Sequence, residues 1–197
     1  MKVMKRITGK LSVILGGLIA LNAHAFDKEI SGTYVPVKGF ANTYEIANVL
    51  QGEIPQQLGN FKLVLKRKDW ALLSDEEKQV IKKRVVIKGV VKGVFDPNTG
   101  TSSHVLVAKD RSGVLYTELD FLIPNHGDIY CSSGQPMIGL EQMNFVRGTG
   151  IYSELQGGTL LLDGVINNCS QASEFLQNDF TVKGEQGEFV FGSSEVE

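Results

Sequence analysis

Few residues of this chain are of types that do chemistry. Past residue 25 it holds two histidines, His104 and His126, with no acidic residue at metal-motif spacing from either. Each reads as a lone strand or turn histidine, and no metal site is expected. There is no G-x-S-x-G elbow, so Ser/His/Asp hydrolysis has no signature. The segment DFLIPNHGD (120–128) gathers Asp120, Asn125, His126 and Asp128 near one strand end, where barrel loops often carry function. The plainer reading is a polar turn held by its Asn and Asp side chains. In VLYTELDFLI (114–123), strict alternation puts Tyr116, Glu118 and Asp120 on one face and Leu115, Leu119 and Phe121 on the other. The acids then face water. An inward acid would instead have its pKa raised by desolvation and become a general-acid candidate. Glu141 and Asp163 are further single carboxylates within strands.

The elements that must position these residues are mostly strands. FKLVLKRK (61–68) puts Phe61, Leu63 and Leu65 on one face and lysines on the other. VVIKGVVKGVF (85–95) aligns Val85, Ile87, Val91 and Phe95 opposite Lys88 and Lys92. HVLVAKD and VLYTELDFLI flank DRSG, a four-residue hairpin signal. GLEQMNFV, GTLLLDGVI and FTVKGEQGEFVF follow. Short strands between polar, Gly-rich turns predict an all-β sandwich or barrel. One segment departs from period two. Ser74 with Glu77 forms a capping box, and SDEEKQVIKKR runs from acids to bases, so a short helix is expected over 74–83.

The N-terminus reads as a secretory signal peptide, residues 1–25. Lys2, Lys5, Arg6 and Lys10 precede an apolar run from Leu11 to Leu21, and Ala23-His24-Ala25 is an A-x-A cleavage site. The run is too short to span a bilayer, so no transmembrane segment is expected after cleavage and the mature chain is periplasmic or extracellular. One barrel domain is expected over 26–192, with a frayed tail at 193–197. The leader holds four of the 20 basic residues and none of the 22 acidic ones, leaving the remainder at a formal net charge of −6. That balance disfavours a nucleic-acid partner, because phosphate binding needs a basic surface. In an oxidising compartment Cys131 and Cys169 read as one disulfide. The competing two-cysteine metal site lacks further ligands at suitable spacing.

FVRGTGIYSELQGGTLLLDG (145–164) carries five glycines. Gly148 and Gly150 suit positive φ or close backbone approach, and Gly157-Gly158 suit a hairpin turn. A phosphate cradle is disfavoured, because GTG lacks a following Gly-Lys-Ser/Thr, and no cofactor is expected. This segment resembles the Gly-x-Gly-Ile/Arg-Phe/Tyr turn of the allene oxide cyclase barrel superfamily, which is related in fold to the plant dirigent proteins. GDIYCSSGQPM with EQMNFVRGTGIY, and GEIPQQLGNFKLVL (52–65), resemble that family's flanking segments. The resemblance implies an eight-stranded antiparallel barrel with a central cavity, often in a homo-oligomer. YEIANV (44–49) is similar to the strand that opens the cyclase barrel, which would make Glu45 and Asn48 candidate catalytic residues, in addition to the strand carboxylates Glu118, Asp120 and Glu141.

Three functions remain open. The leading one is an exported barrel that holds a small, largely apolar molecule without chemistry. Phe61, Leu63, Ile87, Val91, Leu115, Leu119 and Phe121 would line a pocket of the few-hundred Å³ class. The second is a cyclase or isomerase that folds its substrate by shape, which needs few acid/base residues. The third is an interaction module whose barrel is filled by its own side chains.

Overall fold

Strands that bury one face must close on one another or be covered, and here they close. The computed structural model describes residues 28–47, 52–167, 169 and 177–192. The leader, Asn48 and the tail 193–197 lie outside the described residues. Nine strands form one antiparallel sheet: β1 (Gly32–Glu45), β2 (Gln56–Arg67), β3 (Arg84–Asp96), β4 (Thr101–Ala108), β5 (Val114–Thr117), β6 (Asp120–His126), β7 (Met137–Gly148), β8 (Leu155–Ile166) and β9 (Gln177–Phe191). Neighbours in sequence pair, except β5 and β6, which together fill one place between β4 and β7, and β1 pairs with β9 to close the sheet. The result is a closed eight-stranded barrel, which leaves no free edge.

The alternation expected from sequence holds for most of the wall. Val85, Ile87, Gly89, Val91 and Gly93 point inward from β3, while the residues between them are exposed. Phe61, Leu63 and Leu65 point inward from β2, although Val64 between them is buried as well. Each large apolar side chain so buried contributes roughly 1.5–3 kcal/mol. Helix α1 (Asp75–Val80) forms where expected. The Ser74 Oγ accepts from the Glu77 amide at 3.2 Å, and the Glu77 carboxylate accepts from the Ser74 amide at 2.7 Å.

One barrel end is sealed by aromatic packing. Tyr34 and Phe191 meet edge-to-face at 5.8 Å, Phe145 and Phe189 lie 4.7 Å apart, and the buried Arg67 guanidinium sits over the Tyr34 ring. The other end is closed by the loop between β6 and β7. Ile129 is buried there, Tyr130 packs against Phe95, and Cys131 is bonded to Cys169 with 5.1 Å between Cα atoms. The polar-turn reading of 120–128 holds for Asp128 alone, because Asp120–His126 form β6 and Asp120 is buried. The Asp128 carboxylate accepts from the amides of Tyr130 and Ser132, and Asn125 and His126 are exposed.

The glycine-rich stretch is partly as expected. Gly150 has φ +62° and begins a 3-10 turn, Gly150–Tyr152, beneath which the Tyr152 ring is buried with its hydroxyl 3.1 Å from Ser112 Oγ. The hairpin turn expected at Gly157-Gly158 is not there. Both lie inside β8, and a Cβ on Gly158 would come within 2.8 Å of the Phe189 ring. That glycine makes room for an aromatic of the adjacent strand, not for a turn. Gly150→Val should lower stability by ~2–3 kcal/mol, because a β-branched residue is strained at positive φ. The added Cβ would also meet the Ser112 carbonyl oxygen at 2.1 Å. An unchanged denaturation midpoint would show that glycine is not required there.

Candidate functional site

The interior is mostly apolar; apart from single buried polar side chains such as Arg67 and Asn178 it holds one cluster of titratable groups, and strand periodicity builds most of that cluster. On β4, His104 is in phase with Leu106 and Ala108 and so points inward. On β7, Glu141 is in phase with Met137, Met143 and Phe145 and points inward too. The exposure of His104 is 7%, and that of Glu141 is 4%. Thr117 on β5 adds a buried hydroxyl.

Asp120 reaches the cluster by breaking the alternation. The strand expected over 114–123 is interrupted after Thr117, and Leu119 takes φ +53°. Glu118 and Leu119 both face outward, so the phase flips and Asp120 turns inward with 0% exposure. Asn144 on β7 clamps the break. Its carbonyl accepts from the Glu118 amide at 3.1 Å, its side-chain amide donates to the Leu119 carbonyl at 2.7 Å, and its backbone amide donates to Asp120 Oδ1 at 2.6 Å. The inward faces expected of Leu119 and Phe121 are therefore corrected: they are 67% and 37% exposed. Glu118 is exposed as expected and is parted from Asp120.

Within the cluster, Asp120 Oδ2 lies 2.7 Å from His104 Nδ1 and also accepts from the Thr117 hydroxyl. Three donors thus converge on this carboxylate, an arrangement suited to holding an imidazole in one orientation with a proton on Nδ1. The other ring nitrogen, Nε2, lies 3.7 Å from Glu141 Oε1. That is too long for a direct hydrogen bond. It is the only ion pair of the Glu141 carboxyl among the described residues. Burial opposes charge on His104, but the Glu141 and Asp120 carboxylates outweigh it, and its pKa is raised. Desolvation also raises that of Glu141, against the pull of His104. Gly93 supplies the space: a Cβ there would sit 2.6 Å from the imidazole Nε2.

His104 and Glu141 face a cavity of about 30 Å³. Thr43 and Gln57 add polar groups, their side chains joined at 2.8 Å, and Phe61, Leu63, Val91, Leu106, Met143 and Phe180 form much of the apolar wall. The volume falls far short of the few-hundred Å³ expected from sequence. The interior is largely filled by its own side chains, leaving space on the scale of water rather than of a drug-sized ligand. Of the residues expected to line it, Phe61, Leu63 and Val91 do. Ile87 and Leu115 are core residues outside its lining.

The remaining carboxylates have other work. Asp163 is on the outer face, paired with Lys183 at 3.0 Å. Glu45 ends β1, and its Oε1 accepts from the amides of Ala47 and Gln56, closing the β1–β2 connection. Its Oε2 is buried without a partner, and desolvation raises its pKa. Glu45 shares a row with Gln57, Gly93 and His104 across β1 to β4, so it borders the site without lining the cavity. No group of three or more His, Cys, Asp or Glu with metal-holding geometry occurs among the described residues. No helix among them is long and apolar enough to cross a membrane. No protein-family model, curated protein or solved structure matches the chain.

Proposed function

We propose that this is an exported barrel whose interior takes up a small, largely apolar molecule bearing one polar group, which His104 and Glu141 engage. The observation that carries this reading is the Glu141 carboxyl. It is buried among apolar side chains, and its ion-pair partner among the described residues is the imidazole at 3.7 Å. A barrel that only filled itself would gain stability from an apolar residue there, because burying an ionisable group without hydrogen bonds is costly. A mostly apolar pocket with a few convergent polar groups and shifted pKa values is the usual form of a small-molecule site. The disulfide between Cys131 and Cys169 supports export, and the resemblance to the allene oxide cyclase barrels supports a cavity binder.

The ligand must displace side chains. Met143 is the residue best suited to yield, being unbranched with a flexible thioether. Met143→Ala should therefore cost ~2–5 kcal/mol of stability while enlarging the cavity. In a thermal-shift screen of small ketones, lactones and alcohols, ligands should raise Tm through linkage, and more in Met143→Ala than in the wild type. A second reading, the side-chain-filled interaction module, is favoured by the cavity volume of about 30 Å³. If no compound stabilises either protein, that reading replaces the first.

A further inference from the structure

We propose that His104 and Glu141 make the barrel interior a proton-transfer site, and that its substrates are small β,γ-unsaturated ketones, isomerised to their conjugated forms. This rests on the reading that the interior admits a small apolar molecule. A binding site needs one polar group to orient its ligand, whereas this one has two that exchange protons, on adjacent sides of one cavity. They are 3.7 Å apart and not bonded to each other. One of them is held in register from behind. Asp120 accepts a hydrogen bond from Nδ1–H, and Thr117 and the Asn144 amide fix Asp120 in turn. This leaves Nε2, the nitrogen on the Glu141 side, to meet a ligand. A nucleophile, a base and an orienting third group within hydrogen-bond reach form a familiar catalytic pattern, but the nucleophile is missing here. What remains is an acid and a base.

The chemistry that fits an N–H donor beside a carboxylate is removal of a proton next to a carbonyl group. The ketone oxygen would accept from His104 Nε2–H, and an α-hydrogen would face Glu141 Oε1. Glu141 removes that hydrogen. The C–H electron pair becomes a C=C bond to the carbonyl carbon, and the C=O π pair moves to oxygen, which takes the proton from Nε2. In the return step the oxygen gives its proton back to Nε2 and the C=O bond re-forms. The adjacent C=C pair shifts, and Glu141 delivers its proton to the γ-carbon. The substrate is isomerised, both side chains regain their starting protonation, and no oxidant or co-reactant is consumed. The apolar wall excludes water, which strengthens both interactions.

The test uses cyclopent-3-en-1-one as substrate and cyclopentanone as unreactive analogue, with the folded, disulfide-bonded protein. Proton NMR should show conversion to cyclopent-2-en-1-one above the buffer rate, saturating with substrate and inhibited by cyclopentanone. Glu141→Gln, which keeps the shape and removes the base, should lower that rate by about 100-fold or more. Cyclopentanone should raise Tm in both proteins. If it raises Tm but the wild type converts the enone no faster than Glu141→Gln, the catalytic proposal is overturned and the binding reading stands. If it neither raises Tm nor inhibits, both fail. Should Glu141→Gln not fold, inhibition by cyclopentanone decides: conversion that it leaves untouched occurs elsewhere and overturns the proposal.

Discussion

Asp120→Ala should destabilise the protein by ~3–5 kcal/mol, the usual cost of taking one partner from a buried charged pair. Three donors lose their acceptor at once: the His104 Nδ1–H, the Thr117 hydroxyl and the Asn144 amide. The imidazole and the Thr117 hydroxyl are buried, so bulk water does not replace the acceptor they lose. The break at Leu119 also loses its reason, because its positive φ is what turns Asp120 inward. Chemical denaturation measures this, and a midpoint equal to the wild type's would contradict the cluster. The pH dependence carries a second signature. His104 and Glu141 both have folded pKa values above their ordinary ones of 6.5 and 4.5. The folded state therefore binds more protons than the unfolded one above those values, and stability must fall as pH rises. The fall begins near pH 4.5 through Glu141, with Glu45 contributing in the same direction, and continues above 6.5 through His104. In Asp120→Asn the part above 6.5 should shrink, because one of the two carboxylates that hold the imidazole charged is gone.

Reducing the Cys131–Cys169 bond should cost ~4 kcal/mol in the chain-entropy model. The bond spans 38 residues and ties the β6–β7 loop to the connection after β8. Both segments lie at the barrel end that the loop closes with Ile129 and Tyr130. Unfolding of the oxidised and reduced protein by denaturant gives the difference directly. Equal midpoints would mean that the loop is held by its other contacts alone. Mass spectrometry of the exported, non-reduced protein should find no alkylatable thiol.

The barrel was legible because period two is a strong signal when one face is buried. Phe61, Leu63, Val85 and Ile87 all lie inward as the pattern dictates. The same signal marks His104, in phase with Leu106, and Glu141, in phase with Met143. Each is nevertheless easily taken for an isolated residue, because their meeting depends on which strands are neighbours across the wall. Asp120 was not legible at all. Alternation assigns it to water with Glu118, and only the break at Glu118–Leu119 reverses it. That break is held from β7 by Asn144, a residue 24 positions away from Asp120 in the chain. Gly93 and Gly158 show the same limit. A strand glycine signals close approach, but the His104 and Phe189 rings that need the space belong to other strands.

The most direct test of the account is the imidazole nitrogen spectrum of His104, followed from about pH 5 to 8 with and without cyclopentanone. If the cluster faces a working cavity, His104 should keep both ring protons above the pH at which a free imidazole loses one. Saturating ketone should then shift the Nε2 signal while leaving Nδ1, which is held by Asp120, nearly unmoved. A His104 that titrates like a free imidazole and ignores the ketone would contradict the account, leaving a barrel that is filled and closed.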